Sequence, residues 1–343
     1  MSRIRISGLF LALILLCTGC AQEKAVQRQT FAMDTFMSFT AYGKGAEEAL
    51  DNAVSRIAEM EQALSVTLEN SDVSRINHAE GEWVEVPGAI DAISTAKALC
   101  ERTGGVLDIT AYPAVKAWGF TTGEYRVPSA DELAELTTRI DYTRIELDET
   151  TSSVRLPADM ELDLGAVAQG WAGEELAQML TDAGVASATL SLGGNVQTIG
   201  ANPDGSPWRV GIQAPGSGQG AYLASVEVVD MAVVTSGGYE RYFEQDGEIY
   251  WHILDPETAA PARSDVVSAT IVGPQGSVCD ALSTTLFIMG SEQAAQFWRE
   301  NQDLAFDYVL ILEDGSIHIT QGLEDSFHLV DGDTDQKVTV TAP

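Results

Sequence analysis

Short β-rich stretches fill the second half of this chain, helical-period stretches fill the first, and the two never settle into regular alternation. The β-rich stretches lie at residues 188–199, 208–213, 223–229, 266–272 and 308–320. A doubly wound parallel sheet needs strand and helix in turn, because each parallel crossover takes a dozen or more residues. The order here points instead to an α+β fold, with mixed, largely antiparallel sheets and flanking helices. Apolar positions Leu50, Val54, Ile57, Met60 and Leu64 recur at helical spacing and predict a helix over 45–64. Others are expected at 89–102, stopped by Gly104-Gly105, and at 166–183, ended by Gly184. Ser129-Ala-Asp-Glu132 is a capping box that opens another, and shorter helices are expected at 278–289 and 292–301. Asp246-Gly247 and Asp314-Gly315 mark hairpin turns between apolar runs.

Charge narrows the partners. Nineteen Lys plus Arg against 51 Asp plus Glu leave a net charge of −32. Such a surface repels nucleic-acid phosphates and anionic lipid alike, so no nucleic acid is expected as a partner. Any anionic ligand needs a cation or local backbone dipoles to bind.

Arg3 and Arg5 precede an apolar run over residues 9–17, and Thr18-Gly19-Cys20 follows. The run reads as a secretory signal, being shorter than the roughly 20 residues a bilayer span takes. Gly19-Cys20 with Ala21-Gln22-Glu23 resembles the lipobox of bacterial lipoproteins, in which the Cys is lipidated, although Cys17 stands where Leu is usual. A plain cleaved signal and an uncleaved anchor are the alternatives. The organisation expected is a signal over 1–19, a tether over 20–30, one domain over 31–330 and an acidic, fraying tail over 331–343. Cys100 and Cys279 are expected as buried free thiols, and without CxxC or a His/Cys cluster zinc is not indicated.

Several segments carry candidate chemistry. Asp280, Ser283 and Thr284 fall at i, i+3 and i+4, so on a helix a carboxylate and two hydroxyls share a face. Hard oxygen donors of this kind suit Mg²⁺, but taken alone the same residues read more readily as ordinary helix capping. His252 sits at the end of a strand that Asp255-Pro256 terminates, a position from which it can serve proton transfer or fill a half-buried structural role. Asp163-Leu-Gly165, Leu192-Gly-Gly-Asn195 (read as interrupting a strand) and Thr235-Ser-Gly-Gly238 are glycine segments whose amides can approach a phosphate.

Taken in order, Met33-Asp-Thr35, Leu107-Asp-Ile-Thr110 with Trp118-Gly-Phe120, Asp163-Leu-Gly-Ala-Val-Ala-Gln-Gly170, Leu192-Gly-Gly-Asn195, Trp208-Arg-Val-Gly-Ile212, Thr235-Ser-Gly237 with Tyr239, His252-Ile-Leu-Asp-Pro256 and Asp280-Ala-Leu-Ser-Thr284 resemble the ApbE family. The resemblance spans about residues 31–330. It implies binding of FAD and Mg²⁺, and transfer of the FMN half to a Thr or Ser hydroxyl of an acceptor protein with release of AMP. It also implies a metal site of Asp280, Ser283, Thr284 and the Ala166 carbonyl. Flavin-nucleotide contacts are implied at Met33, Val106, Leu107, Asp108, Asp163, Gln169 and Leu254, with His252 as the catalytic base. Acceptors in the family include membrane electron-transfer subunits, which suits an exported protein held by lipid at Cys20 on the outer or periplasmic face of the membrane.

Four positions depart from the family pattern. Asp34 replaces a Gly, Thr67 an aromatic Tyr, Gln169 a Lys, and Ala259 the Gly of a Thr-Gly-x-Pro segment. They put the tightness of FAD binding in question and leave His252, Asp280 and Thr284 in place. Hydrolysis of FAD to FMN and AMP in the same site, or a non-enzymatic flavin-binding lipoprotein, are the competing functions.

Overall fold

A computed structural model of the chain describes residues 24–217, 220–330 and 336–343. The expected signal segment and Cys20 lie outside the described residues. Among the described residues, a nine-stranded sheet runs in the order Val26–Ala32, Thr35–Ala41, Ala188–Leu192, Asn195–Ile199, Ala232–Gly237, Val266–Gly273, Asp307–Leu312, Ile317–Thr320, Val338–Thr341. Every neighbouring pair is antiparallel except the last. Seven α-helices among the described residues accompany it: α1 (Ala46–Leu64), α2 (Asp72–Asn77), α3 (Ile90–Arg102), α4 (Tyr112–Trp118), α5 (Ala130–Thr137), α6 (Ala168–Asp182) and α7 (Gly276–Glu300). The architecture is the expected α+β class.

The central strands bury both faces, and their alternation shows which layer covers each. Tyr308, Leu310 and Leu312 join the main core with Leu50, Ile57, Leu176, Leu282 and Leu286 from α1, α6 and α7. Val309 and Ile311 point the other way, into a second core with Ile212 and Val226. That second core is closed by a three-stranded sheet of Trp208–Gln213, Tyr222–Val228 and Phe327–Leu329. Covering a sheet on two sides turns an alternating strand into a continuous apolar run, which is how the Tyr308–Leu312 segment reads.

Local sequence rules account for several boundaries. Ser129 caps α5 by accepting the Glu132 N–H, while the Glu132 carboxylate pairs with Arg126 instead of closing the capping box. The two helices expected near the end form one α7 broken at Gly290, whose φ of 78° no helix accommodates. Asp265 accepts the Ser291 N–H at 2.8 Å just beyond the break. Cys100 and Cys279 are buried and unpaired, and burial pushes the Cys100 thiol up to about 12.

Three expectations need correction. The stretch read as a tether already belongs to the sheet from Val26, because the Val26–Ala32 strand pairs along its length with Thr35–Ala41. The tail is likewise not all loose: Val338–Thr341 pairs in parallel with Ile317–Thr320. Gly193-Gly194 does not interrupt a strand but turns a hairpin, both glycines having positive φ, so that residues 188–199 form two strands.

Two departures from the family pattern carry backbone strain. Asp34 (φ 57°) and Ala259 (φ 54°) both occupy the left-handed region that favours Gly. For a non-glycine residue that conformation costs about 1–2 kcal/mol, against roughly 0.5–1 kcal/mol of extra chain entropy that a Gly loses on folding. Asp34→Gly is therefore expected to stabilise the protein by about 0.5–1 kcal/mol, read as a higher urea midpoint. A lower midpoint would show that the Asp34 side chain contributes more than its strained backbone costs.

Candidate functional site

One cleft of about 650 Å³, a size suited to a nucleotide cofactor, gathers segments from across the chain. The Met33–Thr35 turn, the end of α1, residues 106–109, the approach to α6, the Thr235–Gly237 segment, residues 252–254 and one face of α7 all line it. Met33, Val106, Leu107, Asp108, Asp163, Ala166, Gln169, His252, Leu254, Asp280 and Thr284 are thereby brought together, and Thr67 lines the cleft too.

The position of Asp280 depends on two glycines. A Cβ on Gly170 of α6 would overlap the Gly276 carbonyl and lie 2.5 Å from Asp280 Cβ, and one on Gly276 would overlap the Gly170 carbonyl. Bare backbone at both positions lets the two helix starts touch. The Gly170 N–H then donates to Asp280 Oδ2 at 2.7 Å instead of to the Ala166 carbonyl four residues back. Ala166 O is left without its helical donor at the cleft wall. Asn195 also bonds the Asp280 carboxylate, a role that the glycine-segment reading missed. Burial pushes the Asp280 carboxyl up to about 6, and no cationic side chain compensates it.

Ser283 does not share this outlook. It is fully buried, bonds Ser236 Oγ at 2.7 Å and the Asp280 carbonyl at 2.8 Å, and does not line the cleft. At about 100° per residue, Ser283 and Thr284 fall some 60° and 40° to opposite sides of Asp280. The cleft takes only the Thr284 side.

His252 is fixed through one ring nitrogen. Its Nδ1 lies 3.1 Å from the Arg241 carbonyl, which can only accept, so Nδ1 carries the proton and Nε2 keeps a free lone pair. Its own N–H donates to the same carbonyl, and the ring meets Phe120 edge-on at 6.3 Å. Burial, with the Arg241 guanidinium, pushes the imidazole down to about 4. The folded value lies below the unfolded one near 6.5, so between those values the unfolded chain binds the extra proton and acid weakens the fold. Titration of the imidazole by NMR is expected to find His252 neutral down to about pH 4; a midpoint near 6.5 would contradict its burial.

The Asp108 carboxylate is committed to the Thr110 N–H and hydroxyl and to the Tyr142 N–H, so its side chain shapes the loop that lines the cleft. Asp163 accepts the Gly165 N–H, and burial raises its carboxyl against that bond and the pull of Arg241. In charge the lining is lopsided: among the described residues Asp34, Glu61, Asp108, Asp163, Glu240 and Asp280 stand against Arg241 alone.

This fold and cleft place the chain among known proteins: it belongs to the ApbE family, whose model matches residues 33–306. A protein of Treponema pallidum named FAD:protein FMN transferase is 32% identical over 339 residues, 92% of each chain. The crystal structure of the ApbE protein of Thermotoga maritima superposes with a TM-score of 0.81 at 30% identity, covering 87% of this chain and 98% of that one. Flavinyl transferase ApbE of Pseudomonas stutzeri gives 0.76 at 26% identity, with 88% and 96% covered.

Proposed function

We propose that this protein transfers the FMN half of FAD to a Thr or Ser hydroxyl of an acceptor protein, releasing AMP. The observation that carries the reading is the meeting, in one cleft, of a free His252 Nε2 with the Asp280, Thr284 and Ala166 oxygens. In the reaction the acceptor oxygen bonds to the FMN phosphorus while the bond from that phosphorus to the bridging pyrophosphate oxygen breaks. The bridging oxygen leaves with AMP. His252 Nε2 takes the hydroxyl proton, a general-base role worth typically about 10²–10⁴-fold. The amide of Gly193, in the hairpin turn that lines the cleft, is available to the phosphoryl oxygens. No protein nucleophile is needed, because such transfer rests on positioning and electrostatics.

Mg²⁺ fits the donor set. Asp280 offers a buried carboxylate, Thr284 a hydroxyl and Ala166 a carbonyl, all hard oxygens, and Mg²⁺ commonly keeps few protein ligands. No cluster of three His, Cys, Asp or Glu side chains arranged for metal is found among the described residues, so the site relies on one carboxylate and substrate oxygens. When bound, the ion would supply the positive charge that brings an anionic pyrophosphate into an acidic cleft. A lipid on Cys20 would hold the domain at the outer or periplasmic face of the membrane, six residues ahead of the first strand at Val26.

The charge argument has a direct test. FAD affinity, read by quenching of flavin fluorescence, is expected to rise at least tenfold on adding Mg²⁺ to protein freed of metal by EDTA. Equal affinity with and without the ion would overturn the metal assignment.

A further inference from the structure

Twelve arginines lie among the described residues, and eleven have a partner for the guanidinium. Nine make ion pairs: Arg28, Arg56, Arg75, Arg102, Arg126, Arg139, Arg144, Arg155 and Arg209. Arg263 and Arg299 donate to the carbonyls of Ile249 and Ala342. Arg241 has neither, in a protein where carboxylates outnumber basic side chains 51 to 19. Among the described residues lining the cleft it is also the one cationic side chain.

Its backbone is tied to the candidate base. The Arg241 carbonyl accepts both the N–H and the Nδ1 proton of His252, each at 3.1 Å. Immediately beyond, Tyr242 pairs with Trp251 at the base of a hairpin, so the chain on both sides of this contact is held in register. The guanidinium is thus delivered to the same wall of the cleft as His252 Nε2. An arginine that forms no ion pair, although Asp163 and Glu240 lie near enough to feel its charge, has the form of an anion receptor whose ligand arrives from solution. Its planar fork matches two oxygens of a phosphate.

We propose that Arg241 binds the pyrophosphate of FAD and stabilises the charge that builds on the transferring phosphoryl group. This rests on the flavin-transfer reading and adds a substrate-contacting residue to it. Division of labour follows: Asp280, Thr284 and Ala166 address the pyrophosphate through a cation, and Arg241 addresses it directly from the His252 side. Because the His252 contact uses only the Arg241 backbone, changing the Arg241 side chain leaves the base hydrogen-bonded as before.

The test compares two flavins that differ in the phosphates. FAD and riboflavin affinities are measured by flavin fluorescence in Mg²⁺ buffer for the full-length wild type, Arg241→Ala and Arg241→Lys. Arg241→Ala is expected to weaken FAD binding by about 10–100-fold, the usual range for losing a charge-assisted hydrogen bond, and to leave riboflavin binding unchanged. Arg241→Lys should recover part of the loss, as a point charge without the fork. FMN transfer at saturating FAD should fall as well, separating a transition-state contact from simple binding. Unchanged FAD affinity in Arg241→Ala, which is what a contact to the acceptor protein would give, overturns the proposal. So does an equal loss for both flavins, the mark of a merely structural residue. A wild type that binds no FAD in Mg²⁺ would instead overturn the flavin-transfer reading itself.

Discussion

Asp280→Asn is expected to lower Mg²⁺-supported FMN transfer by at least about 10³-fold, since a metal's charge at a phosphoryl centre is worth several kcal/mol. The chain should fold regardless. Desolvation pushes the Asp280 carboxyl from its ordinary range up to about 6, so keeping it ionised at pH 7 costs about 3 kcal/mol in the metal-free protein. Asn removes the charge and keeps an oxygen for the Gly170 N–H. The sign is set by an acid whose folded value is raised. The native state holds its proton to higher pH than the unfolded chain, so the cost is absent near pH 4 and grows as pH rises through 6. Thermal unfolding in EDTA should therefore show Asp280→Asn gaining on the wild type between pH 4 and 7. Full turnover in the variant would remove Asp280 from the metal site, and a collapse of stability at pH 7 would show that its carboxylate holds the helices together.

Gly170→Ala and Gly173→Ala, three residues apart on α6, are expected to have opposite effects. The Gly170 methyl would overlap the Gly276 carbonyl and crowd Asp280 Cβ. Neither can yield without parting α6 from α7, so a loss of about 3 kcal/mol and of nearly all turnover is expected. The Gly173 methyl would meet only Leu192 Cδ1 at 3.5 Å and Gln197 Cβ at 3.6 Å, which is ordinary contact. There the better helix propensity of Ala should add up to about 1 kcal/mol with activity retained. Urea unfolding together with a turnover assay separates the two. A Gly170→Ala protein as stable and active as the wild type would show that the helix starts tolerate separation.

Much of this was legible in the sequence, and the failures have physical causes. Periodicity marks α1, α3 and α6 because each lays a long apolar stripe on the core. The short helices α2 and α4, at six and seven residues, are too brief to develop a period. Ser283 was placed in the site because i+3 and i+4 count as one face. The actual face is narrower, and Ser236 claims the hydroxyl. Pairing of Thr35–Ala41 with Ala188–Leu192 joins segments some 150 residues apart, and local propensity carries no signal for that. Arg241 drew no notice because its meaning lies in its setting: an acidic cleft in which its guanidinium forms no ion pair, and its own carbonyl holding His252. The family motifs located the cleft. Its charge balance and the Gly170–Gly276 contact emerged only once the segments were folded together.

The central claim is tested most directly by weighing both products after the protein is incubated with FAD, Mg²⁺ and threonine-bearing acceptor peptides. The account requires a peptide heavier by one FMN, with AMP released in equal amount and neither product formed in EDTA. FAD recovered intact, or FMN and AMP released with every peptide unmodified, would contradict it.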